Sequence, residues 1–302
     1  MEQEFYSNGK LLLSAEYAIL DGAKGLAIPT RYGQSLKIEE TDSGKILWKS
    51  IDKNDTVWFE ASFDLINLSI KKTTDSSVAK SLQAIFLEAK KLNPTFLSKS
   101  KGCSMETKLT FPRNWGLGTS STLINNFANW AAVNPFQLLE RTFGGSGYDI
   151  ACAQNDTPIL YHIEKGKPKV ENVSFKPDFG KNLFFVYLNQ KQNSRDAIIA
   201  YRKLDIDKSR LSKKITQITE NLVNTSSLAD FENLIEFHEQ TLSEVLGILP
   251  IKKKLFPDYF GTVKSLGAWG GDFILVTGNK DTPNYFRQKG YETIIPYSEM
   301  VL

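Results

Sequence analysis

Phe111-Pro112-Arg113-Asn114-Trp115-Gly116-Leu117-Gly118-Thr119-Ser120-Ser121-Thr122 is the stretch on which the reading of this chain turns. Two glycines bracket a leucine, four hydroxyl residues follow, and Leu123 to Ala132 then has the composition of a helix. Glycine lets a backbone turn tightly and lets an anion approach it closely. The first turn of a helix carries N–H groups without intrahelical partners, at the positive end of the dipole. A phosphate is received readily at such a place. The hydroxyls can cap the helix, bind a phosphate oxygen or ligate a Mg²⁺ ion. Taken alone, the stretch is equally a loop before a capped helix. It is not the P-loop pattern, because no Gly-Lys-Ser/Thr closes it.

Working outward, 302 residues are enough for a large core and for two lobes. Hydrophobic residues make up 41% and charged residues 24%, which suits a globular protein. The net charge of +3 is too small to argue for nucleic acid, though it suits an anionic small-molecule substrate. Two cysteines, Cys103 and Cys152, form no disulfide or zinc pattern and read as core residues in a reducing compartment. The N-terminal Met1-Glu2-Gln3-Glu4 shows no signal peptide, and no apolar run has membrane-spanning length, so a cytoplasmic protein without membrane partners is expected.

Upstream, Lys10 to Leu20 is mostly apolar, bounded by Asn8-Gly9 and Asp21-Gly22, both turn signals. A lysine entering a buried segment must find a partner, and an anionic ligand would be one. Leu26–Ile38, Lys45–Trp48 and Val57–Ala61 have the pattern of short strands, and Ser77–Leu92 that of an amphipathic helix. Downstream, Asn134-Pro135 is an N-cap followed by proline at the first helical position. Gly144-Gly145-Ser146-Gly147-Tyr148-Asp149-Ile150-Ala151 again sets glycines before a helix start, with Asp149 in its first turn. The polar stretch Glu164–Lys181 is expected to connect the lobes, and Ser227 to cap a helix over Leu228–Leu246. Last, Lys264-Ser265-Leu266-Gly267-Ala268-Trp269-Gly270-Gly271-Asp272 crowds small residues into a turn before an apolar strand. Such a run is a tight hairpin or a close approach to a ligand.

Together these stretches resemble the GHMP kinase superfamily, which includes galactokinase, homoserine kinase, mevalonate kinase and phosphomevalonate kinase. Asn8 to Ile19 resembles the first family motif, Pro-Gly-Lys-Leu-x-Leu-x-Gly-Glu-Tyr/His-Ala-Val. Pro112 to Thr122 resembles the second, Pro-x-x-x-Gly-Leu-Gly-Ser-Ser-Ala, and Lys264 to Asp272 the third, Lys-x-Ser/Thr-Gly-Ala-Gly-Gly-Gly-Asp/Gly. The order is the family's. Glu16-Tyr17-Ala18 and Gly145 to Ala151 are most similar to the mevalonate and phosphomevalonate kinase branch. The departures are Ala15 for a glycine, Asn8 for the proline, Trp269 for a glycine and Leu266 for Ser or Thr.

The resemblance implies a two-lobed α+β fold, with an N-terminal lobe like domain 2 of ribosomal protein S5 over 1–170 and a ferredoxin-like C-terminal lobe over 171–302. It implies ATP and Mg²⁺ as cofactors and transfer of the γ-phosphoryl to a hydroxyl or phosphate acceptor, mevalonate or phosphomevalonate above all, in isoprenoid synthesis. Asn114, Trp115, Gly116, Leu117, Gly118, Thr119, Ser120 and Ser121 would bind ATP, and Ser120 with Glu140 would hold the metal. Asp149 would accept the proton of the attacking hydroxyl, and Lys10 would steady the γ-phosphate. Glu16, Tyr17, Ser146, Gly147, Lys191, Ser194, Gly267, Ala268, Gly270 and Gly271 would shape the acceptor side. A homodimer is a family-level expectation. Two other readings remain: a non-catalytic nucleotide-binding or regulatory protein of this fold, and a relative of diphosphomevalonate decarboxylase.

Overall fold

A strand with one wet face buries every second residue, as Lys45–Ile51 and Cys103–Leu109 do here. The computed structural model describes residues 2–190, 194–269 and 271–302, at 194 and 195 the backbone alone. In chain order it begins with β1 (Glu2–Leu12), β2 (Gly25–Glu40), β3 (Lys45–Ile51), β4 (Val57–Asp64), β5 (Ile70–Thr73), α1 (Ser76–Leu92) and β6 (Cys103–Leu109). Helices α2 (Thr119–Ala131), α3 (Pro135–Thr142) and α4 (Tyr148–Ala153) follow. Contacts divide the chain into two compact units that are not consecutive stretches. The first takes the residues up to Gly9, Tyr32–Arg113 and Leu117–Gln154; the second takes Lys10–Arg31, Asn114–Gly116 and Asn155–Leu302.

In the first unit the strand order is β5-β4-β3-β6-β2. Strand β6 buries every second residue, from Cys103 to Leu109. It runs parallel to β3, with Trp48 opposite Met105, which requires a crossover between them. Helix α1 supplies it. Asp75 caps α1 by accepting from the N–H groups of Ser77 and Val78, and Leu82, Ile85, Phe86 and Ala89 form its buried face. Phe86 meets Phe127 of α2 edge-to-face at 4.9 Å. Full burial of one such ring contributes about 1.5–3 kcal/mol.

In the second unit, β7 (Ile159–Glu164) and β8 (Lys167–Asn172) form a hairpin beside the start of β2. The polar stretch expected to connect lobes is thus partly a strand. Its turn is Lys165-Gly166, both with positive φ, the geometry that joins two antiparallel strands with least splay. β8 is exposed throughout, so its composition carries no apolar alternation. The chain continues through β9 (Leu183–Tyr187), α5 (Ser194–Arg202), α6 (Lys208–Asn224), α7 (Leu228–Leu246), α8 (Ile251–Leu255), β10 (Val263–Ser265), β11 (Phe273–Thr277), α9 (Thr282–Gln288), β12 (Ile294–Pro296) and α10 (Tyr297–Met300). β10-β11-β9-β12 is an antiparallel sheet. Both of its central strands, β9 and β11, are buried along their whole length. No helix among the described residues is long and apolar enough to cross a membrane.

Candidate functional site

In the second unit the three glycine- and lysine-bearing motifs meet. Lys10, near the end of β1, donates from Nζ to the Gly116 carbonyl at 3.0 Å. Gly116 holds φ 67°, and a Cβ built on it would overlap the Asp272 carboxylate. Only glycine fits this position, for its backbone angle and for the space. Asp272 is fixed from both sides of its peptide: its carbonyl accepts from Leu188 N–H and its N–H donates to Gln190 O, each at 2.8 Å. Tyr187 donates its hydroxyl to the Asn114 carbonyl at 3.1 Å. Trp115 packs edge-to-face on Phe273 at 5.3 Å. A lysine from the start of the chain, a glycine from the middle and an aspartate from near the end therefore share one place.

Within the first unit, two helix starts lack side-chain caps. α1, α3, α6 and α7 are capped by Asp75, Asn134, Asp207 and Ser227. α2 and α4 begin instead at Gly118 (φ 92°) and Gly147 (φ 86°), neither with a side-chain cap. α8, α9 and α10 also start without a side-chain cap; what marks α2 and α4 is the left-handed glycine at each start, and the two helices pack on each other. Ser120 is exposed in the first turn of α2, Thr119 is half-buried, and Leu117 and Ser121 are buried. The Ser121 hydroxyl donates back to the Gly118 carbonyl at 2.9 Å. Asp149 is half-buried in the first turn of α4, after half-buried Ser146 and buried Gly147. Glu140 is exposed on α3.

Glu16 is sealed in the interior, 1% exposed. It anchors a cluster of charged groups that no sequence pattern announced. The Lys264 ammonium donates to Glu16 Oε1 at 2.6 Å, to Glu239 Oε1 at 3.2 Å and to the Ser265 carbonyl at 2.7 Å. All three of its donors are used. Ser265 Oγ donates to Glu239 Oε2 at 2.9 Å. His238 Nε2 accepts from Ala15 N–H at 3.1 Å and lies 3.4 Å from Glu16 Oε2. Burial pushes the Glu16 carboxyl up to about 7, against the pull of Lys264. Burial raises Glu239 too. Burial, with the neighbouring Lys264 charge, holds His238 well below its ordinary value, so the imidazole is neutral. The cluster pins a strained turn, in which Ala15 (φ 71°) and Tyr17 (φ 62°) both occupy the left-handed region. Tyr17 stacks on Tyr201 at 5.3 Å.

In the third motif Gly267 (φ 64°) and Ala268 are half-buried and Gly271 is buried, within the β10–β11 connection. Lys191, Gly270 and the side chain of Ser194 lie outside the described residues. Among the described residues no group of three His, Cys, Asp or Glu could hold a metal ion by itself. A Mg²⁺ ion arriving on a nucleotide needs no such group, since it commonly keeps waters and phosphate oxygens and takes one or two protein carboxylates.

No family model and no curated protein matches the sequence. Solved structures do match its fold. The mevalonate kinase of Methanococcus jannaschii superposes with a TM-score of 0.70 at 15% identity, over 96% of this chain and 94% of that one. The phosphomevalonate kinase of Streptococcus pneumoniae, solved with phosphomevalonate and AMPPNP, gives 0.67 at 17% identity over 95% of each chain. The galactokinase of Lactococcus lactis, solved with galactose, gives 0.66 at 14% over 95% and 88%. At near-full coverage of this chain and at least 88% of each of the others, the chain shares the fold of these three kinases.

Proposed function

We propose that this chain is an ATP-dependent small-molecule kinase of the GHMP type, transferring the γ-phosphoryl of ATP to a hydroxyl or phosphate acceptor such as mevalonate or phosphomevalonate. The observation that carries the reading is the meeting of Lys10, Gly116 and Asp272 from three separate motifs. The glycine-led starts of α2 and α4 support it.

Phosphoryl transfer needs alignment and charge neutralisation more than covalent chemistry. ATP supplies the transferred group, and Mg²⁺ neutralises charge on its phosphates. The backbone from Asn114 to Ser121 binds the nucleotide, with the free N–H groups of α2 directed at phosphate oxygens. Ser120 and Glu140 would hold the Mg²⁺ ion. Lys10 steadies charge on the γ-phosphate. Asp149 takes the proton of the attacking hydroxyl or orients it. Glu16 acts from behind, through the buried cluster that holds Tyr17. Tyr17, Ser146, Gly147, Gly267, Ala268 and Gly271 border the acceptor, and Lys191, Ser194 and Gly270 belong with them in this reading.

A coupled ADP-release assay with mevalonate, phosphomevalonate, homoserine and simple sugars tests the proposal. Acceptor-dependent ADP release supports it. Thermal stabilisation by ATP without turnover on any of these would favour the non-catalytic binding protein.

A further inference from the structure

Tyr17 is the middle residue of a turn that polypeptides rarely make. Its φ of 62° and ψ of −50°, closed by a 2.7 Å hydrogen bond from Ala18 N–H to the Glu16 carbonyl, define a γ-turn of the strained hand. Strain of this kind persists only where the surroundings over-determine it, and it gathers at functional places. The backbone before Tyr17 is held by the buried cluster, through Glu16 and through the bond from Ala15 N–H to His238. The ring is held from another element.

Tyr201, on α5 and in none of the three motifs, is 1% exposed and stacks on the Tyr17 ring at 5.3 Å, with 29° between the planes. Its hydroxyl donates to Asp21 Oδ2 at 2.5 Å, and Asp21 ends the short helical turn that begins directly after Tyr17. Tyr201 thus grips the Tyr17 segment at both ends. With Ser265, Ala268 and Trp269, the two tyrosines line a partly open cavity of about 490 Å³ in the second unit. Tyr17 is only 9% exposed, yet its hydroxyl makes no hydrogen bond among the described residues. Burial, with the Glu16 charge second, pushes that hydroxyl up to about 12, so it keeps its proton at neutral pH. It can donate to an oxygen of a ligand or accept from a ligand hydroxyl.

We infer that Tyr201 is a positioning residue: by stacking on Tyr17 and bonding Asp21 it holds the Tyr17 ring on the cavity wall, from which the Tyr17 hydroxyl hydrogen-bonds the acceptor. The acceptor step rests on the kinase reading; the hold of Tyr201 on Tyr17 does not.

The hold is measured first, without nucleotide, by fluorine NMR of protein carrying 3-fluorotyrosine, with the Tyr17 signal assigned by its loss in Tyr17→Phe. Tyr201→Leu removes the ring and should move that signal toward the position of free fluorotyrosine. Asp21→Ala should move it in the same direction, and Tyr201→Phe, which keeps the stack, should move it least. Asp21→Ala changes a half-buried residue and goes through the same assays where Tyr201→Leu does not fold. Acceptor kinetics follow, on whichever of mevalonate and phosphomevalonate the wild type turns over. Tyr201→Leu should raise the acceptor KM about tenfold, the worth of one good hydrogen bond, with kcat and the ATP KM within about twofold of wild type. Tyr201→Phe should recover most of that rise. In a Tyr17→Phe background, where the hydroxyl is already gone, the rise should vanish. A Tyr17 signal unmoved in both Tyr201→Leu and Asp21→Ala overturns the inference. So does an unchanged acceptor KM in variants whose signal moves, or a KM rise of the same size in the Tyr17→Phe background. A moved signal with no turnover of any acceptor refutes the kinase reading and sustains the hold of Tyr201 on Tyr17.

Discussion

Replacing Lys264 by methionine keeps most of the side-chain volume and removes the one cation shared by Glu16 and Glu239. Both carboxylates are buried, and the ammonium is fully so. Removing one member of a buried ionic group costs about 3–5 kcal/mol, because the remaining charge cannot reach water. For a unit of this size each kcal/mol moves the melting temperature by about 2–4 °C, so Lys264→Met should melt roughly 6–20 °C below wild type. Differential scanning calorimetry at pH 8 reads this directly. The loss should shrink toward pH 5. Glu16 already has a folded-state value near 7, above its ordinary 4.5, so its folded form holds the proton more tightly than its unfolded form does. Stability contributed by such a group is full below the unfolded value and is lost as pH rises through the folded one. Without Lys264 the folded value rises further, and protonation at acid pH relieves more of the damage. A Lys264→Met/Glu16→Gln double variant should recover part of the loss, since an amide needs no counter-charge. A Lys264→Met protein melting within a degree or two of wild type at pH 8, or a double variant no better than the single one, would refute the reasoning.

Three further outcomes are expected. His238 titrates below its ordinary value in the folded state, so the unfolded chain takes up its proton first and stability falls with pH below about 6.5. In His238→Gln, which keeps an acceptor for Ala15 N–H, urea titrations between pH 5 and 7 should show a shallower acid decline. Gly116→Ala combines a left-handed backbone cost of about 1–2 kcal/mol with overlap on Asp272. Gly144→Ala, at the same φ of 67° with nothing within 4 Å of its Cβ, carries the backbone cost alone. Fluorescent-nucleotide titration should therefore show much weaker binding for the first variant and near-normal binding for the second. Lys10→Met should lower turnover by about 10²–10³ with the melting temperature nearly kept.

Local features of the fold were legible because they depend on neighbours in the chain. The Asn134 and Ser227 caps, the amphipathic face of α1 and the glycine starts of α2 and α4 follow from a few adjacent residues. The β7–β8 hairpin was hidden by an edge strand whose polar residues show no alternation; its Lys165-Gly166 turn was the available signal. At the site, the need of Lys10 for a partner was readable, whereas the choice of the Gly116 carbonyl was not. Glu16 and Lys264 stood out as motif residues, but their pairing with each other and with His238 and Glu239 was not readable. The cluster draws on three separate places in the chain, Glu16, the adjacent pair His238-Glu239, and Lys264, and nothing local links them. Only burial of all four together gives them their chemistry. Trp269 was visible as a departure from a glycine; its place on a cavity wall required the fold.

The most direct measurement is ADP release by the wild type and by Asp149→Asn, under saturating ATP and Mg²⁺ with the acceptor that gives the highest wild-type rate. The kinase reading predicts acceptor-dependent turnover that falls by about 10²–10³ in the variant while its ATP affinity is retained. An Asp149→Asn protein turning over ATP at near the wild-type rate would contradict it.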